Sequence, residues 1–153
     1  MSEKSNFETV PLAEIPSSAK IPEGDGFKPV VLVVDDEIVI ADTLTAILNR
    51  NGMAAMAAYD GRSALDIART IPPNLLLTDI IMPDMSGIDL AIAVREEIAD
   101  CKILLFSGQA ATMDLLASAR MDGHDFSVIA KPIHPQELIA RVSESLQSQM
   151  ASA

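Results

Sequence analysis

The chain has a single cysteine, Cys101, so it cannot form an internal disulfide, and such a sequence suits a reducing compartment. It has no apolar stretch near the ~18 residues that a membrane span requires. The longest runs, Val30 to Val34 and Met53 to Tyr59, fall far short, and no membrane insertion is expected. The opening Met-Ser-Glu-Lys-Ser-Asn lacks a basic stretch followed by an apolar block, which argues against a secretory signal. Basic residues are scarce: 11 Lys and Arg stand against 22 Asp and Glu, a net charge of −11. Such a field repels phosphate backbones, so no nucleic acid is expected as a direct partner. No internal repeat or low-complexity tract is present. What remains is ordinary for a globule: 153 residues, 49% hydrophobic and 22% charged. A chain of this size buries about two-thirds of its surface on folding. The expectation is a cytoplasmic, acidic, one-domain protein.

Residues 1–28 read differently from the rest. Prolines at 11, 16 and 22, closed by Pro29, and glycines at 24 and 26 break any period, so a flexible leader is expected there. A regular alternation then begins. Val30-Val-Leu-Val-Val34 is a continuous apolar run rich in β-branched residues, as in a strand covered on both faces. Ile40, Leu44, Ile47 and Leu48 recur at helical spacing over 37–50, and Asn51-Gly52 supplies the stop. Met53 to Tyr59 is the second strand, weakened in propensity by its four alanines. A helix over 61–71 ends at Pro72-Pro73, and Leu75 to Thr78 forms the third strand. The third helix spans Gly87 to Ile98, the fourth strand Lys102 to Phe106, and the fourth helix 110–121, ended by Gly123. Phe126 to Ala130 is the fifth strand; Pro135 then opens a last helix with Leu138, Val142 and Leu146 one turn apart. Strands alternating with helices require a parallel sheet with right-handed crossovers, hence a doubly wound α/β domain. The expected division is a leader at 1–28, a domain at 29–148 and a short tail at 149–153.

In such a sheet the reactive crevice lies outside the carboxyl ends of the strands. Strand one ends in Asp35-Asp36-Glu37, strand three in Thr78-Asp79, strand four in Ser107-Gly108, and strand five in Lys131-Pro132. A single acid at the first position would serve as a helix cap. Two adjacent acids plus a third across the sheet exceed that need, and three close carboxylates repel unless a cation neutralises them. Mg²⁺, a small hard ion that binds a few oxygens and keeps several waters, fits best. Alone, Lys131 could be a structural ion pair and Ser107 a cap. With Mg²⁺ they complete what a phosphoryl group needs: a cation, a hydroxyl donor and an ammonium. Aspartate carboxylates form acyl phosphates, which makes Asp79 the candidate nucleophile. His124 and His134 have no partners at metal-ligand spacing, and Cys101 reads as packing.

The segments Val33-Val-Asp35-Asp36-Glu37, Asp79-Ile-Ile-Met82-Pro83-Asp-Met-Ser-Gly87, Phe106-Ser107-Gly108 and Lys131-Pro132 resemble the receiver domain of bacterial two-component response regulators. The likeness covers about residues 29–147. It implies a flavodoxin-like (βα)5 fold with strand order 2-1-3-4-5 and a cis Lys131-Pro132 bond. It implies that Asp79 is the phospho-acceptor and that Asp36, Asp79 and the backbone carbonyl of Ile81 hold Mg²⁺, with Asp35 acting through water. Ser107 would be the switch hydroxyl and Lys131 the phosphate contact, while Ile81 and Gln109 would line the approach to the phosphate. The sequence departs from the family three residues before Lys131: Val128 stands where Tyr or Phe is frequent. Phe126 lies two residues earlier, on the same face of an extended strand.

The resemblance implies a phosphohistidine donor, on a histidine kinase or a phosphotransfer protein. It implies readout through the fourth helix, fifth strand and fifth helix by a downstream protein target. Five residues follow Ser148, so a stand-alone receiver is expected, with hydrolysis of its own acyl phosphate too slow to make it an enzyme. A phosphorelay intermediate and a non-phosphorylated scaffold are the alternatives. A flavin or nucleotide binder on the same fold needs a first loop rich in amide donors, and Asp35-Asp36 is electrostatically wrong for that.

Overall fold

The computed structural model describes residues 27–108 and 112–151. Most of the leader and Gln109 therefore lie outside the described residues. Ten elements alternate: β1 (Val30–Val34), α1 (Ile38–Asn49), β2 (Ala54–Ala58), α2 (Gly61–Thr70), β3 (Leu75–Asp79), α3 (Gly87–Glu97), β4 (Lys102–Ser107), α4 (Thr112–Met121), β5 (Ser127–Ala130) and α5 (Pro135–Ala151). The strands pair in parallel in the order β2-β1-β3-β4-β5. This is the doubly wound, flavodoxin-like sheet.

The apolar strands divide their side chains between two cores, because successive residues point to opposite faces. Leu32, Val34, Leu76 and Leu105 pack with Ala64 and Ala68 of α2, Leu90 and Val94 of α3, and Ala119 of α4. Val31, Val33, Leu75, Leu77, Leu104, Phe106 and Ile129 pack on the other face with Leu44 and Leu48 of α1 and Leu138, Val142 and Leu146 of α5. Burial on both sides explains why β1 and β3 read as unbroken apolar runs.

β2, the alanine-rich edge strand, draws on a partner the local sequence hides. Asn49 at the end of α1 covers its open edge: its Oδ1 accepts from the Ala55 amide at 2.7 Å and its Nδ2 donates to the Ala55 carbonyl at 3.2 Å. Pairing of an exposed edge by a side chain replaces the missing β propensity. Gly52 (φ 90°) and Gly123 (φ 92°) take the left-handed conformation after α1 and α4, as their place at helix stops requires. α5 continues to Ala151, since Gln147-Ser-Gln-Met-Ala contains no helix breaker.

Candidate functional site

The sheet delivers its charged residues to one edge. Asp35 follows β1 directly, and its backbone N–H still donates to the Ala58 carbonyl of β2 at 3.2 Å. Asp79 is the last residue of β3, aligned with Phe106 of β4. Ser107 ends β4, and its carbonyl accepts from the Lys131 amide at 3.0 Å, so the β4–β5 ladder runs on into Lys131. The Lys131-Pro132 peptide is cis.

Oxygens of Asp35, Asp36 and Asp79 all lie within 4.8 Å of one another. Asp35 is buried completely, Asp79 nearly so, and Asp36 is exposed. One oxygen of Asp35 accepts from the Glu37 amide at 2.8 Å, which caps the entry turn of α1 in place of a Glu37 side-chain cap. One oxygen of Asp79 accepts from the Ile80 amide at 2.8 Å. The other oxygen of each faces Lys131, whose Nζ stands 3.4 Å from Asp35 Oδ2 and 3.4 Å from Asp79 Oδ2. The ammonium also lies 5.0 Å from the centroid of the Phe106 ring, within cation–π reach. Gly108 keeps this corner open, since a Cβ there would stand 3.3 Å from Lys131 Cβ.

Burial pushes the Asp79 carboxyl above its ordinary range; the Lys131 ammonium opposes this and the Asp35 charge adds to it. Asp35 is raised as well, by burial first, against the Glu37 amide and Lys131. One ammonium thus faces two buried carboxylates with a third, exposed one beside them, and the cluster holds excess negative charge. The fit to a hard divalent cation comes from that imbalance and from the all-oxygen donor set.

The segment leaving Asp79 is tightly fixed. The Thr78 hydroxyl donates to the Asp79 carbonyl at 2.9 Å, and the Gly87 amide donates to the Ile80 carbonyl at 2.8 Å. A Cβ at Gly87 would stand 1.9 Å from the Asp79 carbonyl oxygen, so only glycine fits that crossing. Met82 is buried and Met85 packs beside it on the α2–α3 core, so the methionines shape this loop. Ile81 is exposed, two residues past Asp79. Phe126 stands just before β5, which begins at Ser127 and not at the expected Phe126, and lies in the same packing cluster as Val128. What the sequence does not reveal is its fastening: the Arg95 guanidinium sits 4.5 Å from its ring centroid and His124 stacks on it at 6.0 Å.

The structure is thus a parallel α/β sheet with carboxylates and one lysine gathered at its carboxyl edge. The sequence profile of the response regulator receiver domain matches residues 31–143, and the chain belongs to that family. It is 34% identical over 123 residues to the probable transcriptional regulatory protein TcrX of Mycobacterium tuberculosis, covering 80% of this chain and 52% of that protein. Against the DNA-binding response regulator MtrA of Mycolicibacterium smegmatis identity is 32%, with 80% and 53% covered. The chain therefore spans about half the length of these relatives. Among solved structures, the CheY-like receiver domain protein of Methanospirillum hungatei superposes with a TM-score of 0.75 at 25% identity, over 83% of this chain and all of that one. The two-component transcriptional regulator AraC of Clostridium phytofermentans does so with a TM-score of 0.68 at 31% identity, over 82% and 97%. The names of these relatives carry transcription or DNA binding, so the exclusion of nucleic acid drawn from net charge finds no support in them. No helix among the described residues is long and apolar enough to cross a membrane.

Proposed function

We propose that Asp79 accepts a phosphoryl group from a phosphohistidine carried by a histidine kinase or a phosphotransfer protein. A carboxylate oxygen of Asp79 attacks phosphorus, the P–N bond breaks, and the imidazole leaves with that electron pair. Asp36, Asp79 and the Ile81 carbonyl are the residues that would hold Mg²⁺, with Asp35 acting through water. Bound there, Mg²⁺ would offset the carboxylate charge and that of the incoming phosphoryl oxygens. Lys131 stands beside the accepting carboxylate and supplies a second positive contact, and Ser107 supplies a hydroxyl donor. The observation that carries this reading is Lys131 Nζ at 3.4 Å from both buried aspartates, within a cluster of three carboxylates. Retention of that complete set favours a working phospho-acceptor over a scaffold.

The acyl phosphate is read by a change in the segment after Ser107, which biases the surface of α4, β5 and α5 toward a downstream partner. That surface has exposed Met113 and Met121 on α4, and Arg141 of α5 donates to the Val128 carbonyl of β5 at 3.5 Å. With Val128 at the usual aromatic position and Phe126 held by Arg95 and His124, the switch runs through Ser107 alone. Turnover is limited to slow hydrolysis of the acyl phosphate, so the protein is a signalling acceptor rather than an enzyme, and it acts in the cytoplasm. In one reading this surface is read by a protein target in trans. The names of TcrX and MtrA favour a second reading, in which the same switch governs a DNA-binding unit. Transfer from a panel of purified histidine kinases, with Asp79→Ala as control, tests the proposal. Phosphate must move rapidly from one kinase to the wild type and not to the variant. Labelling that persists in Asp79→Ala would defeat it.

A further inference from the structure

The first turn of α2 is capped from another part of the chain. Its N-cap residue Asp60 accepts from the Ser63 amide through its side chain at 2.7 Å and from the Ala64 amide through its carbonyl at 3.1 Å. The two remaining amides, of Gly61 and Arg62, donate to Asp84 Oδ1 and Oδ2, each at 3.4 Å. Asp84 belongs to the segment that leaves Asp79. Partial desolvation pushes its carboxyl up, but the amides of Gly61, Arg62, Met85 and Asp84 itself outweigh this and hold it below the ordinary range. A second contact fastens the same segment. Met85 lies so close over α2 that a Cβ at Gly61 would stand 2.8 Å from Met85 Cβ and 3.0 Å from its Sδ. At its far end the segment closes through the Gly87 amide on the Ile80 carbonyl at 2.8 Å.

Residues 80–87 thus form a turn closed on itself and pinned to α2, and Ile81 lies within it. We propose that Asp84 is a positioning residue for cation binding: by capping α2 it holds this turn, and with it the Ile81 carbonyl that would join Asp36 and Asp79 in holding the cation. The inference rests on the proposed Mg²⁺ site. A backbone carbonyl has no rotamer with which to correct a misplaced ligand, so its contribution depends on how firmly the chain around it is held.

The test is calorimetric titration of Mg²⁺ into the full, unphosphorylated chain, with circular dichroism on the same samples to monitor folding. Asp84→Ala should weaken binding about tenfold, the low end of the loss typical when a group that orients a metal ligand is removed. Asp84→Asn, which keeps one acceptor oxygen, should recover most of the affinity. Gly61→Ala should also weaken binding, because the new Cβ displaces Met85, even though alanine favours the helix. Asp60→Ala removes the other cap of α2 without touching the turn, and should leave the affinity within about twofold of wild type. Equal losses in Asp60→Ala and Asp84→Ala would reduce Asp84 to an ordinary helix cap and overturn the proposal. So would unchanged affinity in Asp84→Ala beside normal binding by the wild type. Failure of the wild type itself to bind Mg²⁺ would overturn the metal reading and the proposal with it.

Discussion

Replacing Lys131 by Met would remove the ammonium that both buried aspartates face while keeping the aliphatic stem. At the observed 3.4 Å, each contact is worth about 5 kcal/mol of Coulomb attraction at an effective dielectric of 20. Most of that is cancelled by the cost of desolvating the ammonium, and Lys131 remains 23% exposed. Loss of one partner from a buried pair costs roughly 3–5 kcal/mol; for this partly exposed lysine we expect about 2–3 kcal/mol at neutral pH. The sign of the pH dependence comes from the carboxyl shifts. Asp35 and Asp79 already titrate above their ordinary range through burial, and Lys131 opposes that rise in both. Without it their folded-state pKa values climb further. A raised carboxyl pKa disfavours folding fully at pH above the folded value, and the penalty fades as pH falls through it. The deficit of Lys131→Met should therefore be largest at neutral pH and shrink on acidification. Mg²⁺ should also shrink it: without the ammonium on Asp35 and Asp79 the carboxylates attract the cation more strongly, so mass action stabilises the folded variant more than the folded wild type. Urea unfolding in EDTA and in Mg²⁺, across a pH series, measures all three effects. A variant as stable as wild type at neutral pH in EDTA would refute the electrostatic account of the pocket.

Gly87→Ala should destabilise the fold by about 3 kcal/mol or more, because its Cβ would meet the Asp79 carbonyl oxygen at 1.9 Å and both sides are backbone. Denaturant unfolding checks this, and a change below about 0.5 kcal/mol would contradict it. The Cys101 thiol is pushed up to about 12 by burial, so it stays protonated at pH 8. Iodoacetamide should label it only after unfolding; equal labelling of the native protein would be the contrary result. Ile81→Asn places a polar group that can orient water near the acyl phosphate, and should speed autodephosphorylation about tenfold or more. Fast decay of the wild type, unchanged by this substitution, would show that the apolar side chain does not prolong the phosphorylated state.

The sheet was legible because β1, β3 and β4 are apolar runs set between helical periods and clear breakers. The charged residues were legible because each lies directly at a strand's end, which puts Asp35, Asp79, Ser107 and Lys131 on one edge whatever the details of packing. The strand order came from the resemblance carried by the four motifs, since βα alternation alone permits several orders. Contacts between elements distant in sequence stayed hidden. Ala55 is held by Asn49 across the edge of the sheet, a pairing the alanines of β2 do not announce. Gly87 could be seen in its motif, but its crossing over the Asp79 carbonyl depends on how α3 docks. Asp84 could be seen only as part of its motif, because its partners are amides of α2. Phe126 was legible as a neighbour of Val128, whereas its fastening by Arg95 required α3 to be in place.

Intact-mass spectrometry after incubation with acetyl phosphate and Mg²⁺ gives the most direct trial of Asp79 as acceptor. One added mass of about 80 Da, carried by the peptide that contains Asp79 and missing from Asp79→Ala, is the predicted result. A wild-type protein that stays unmodified, or one that carries the group on another residue, would contradict the account.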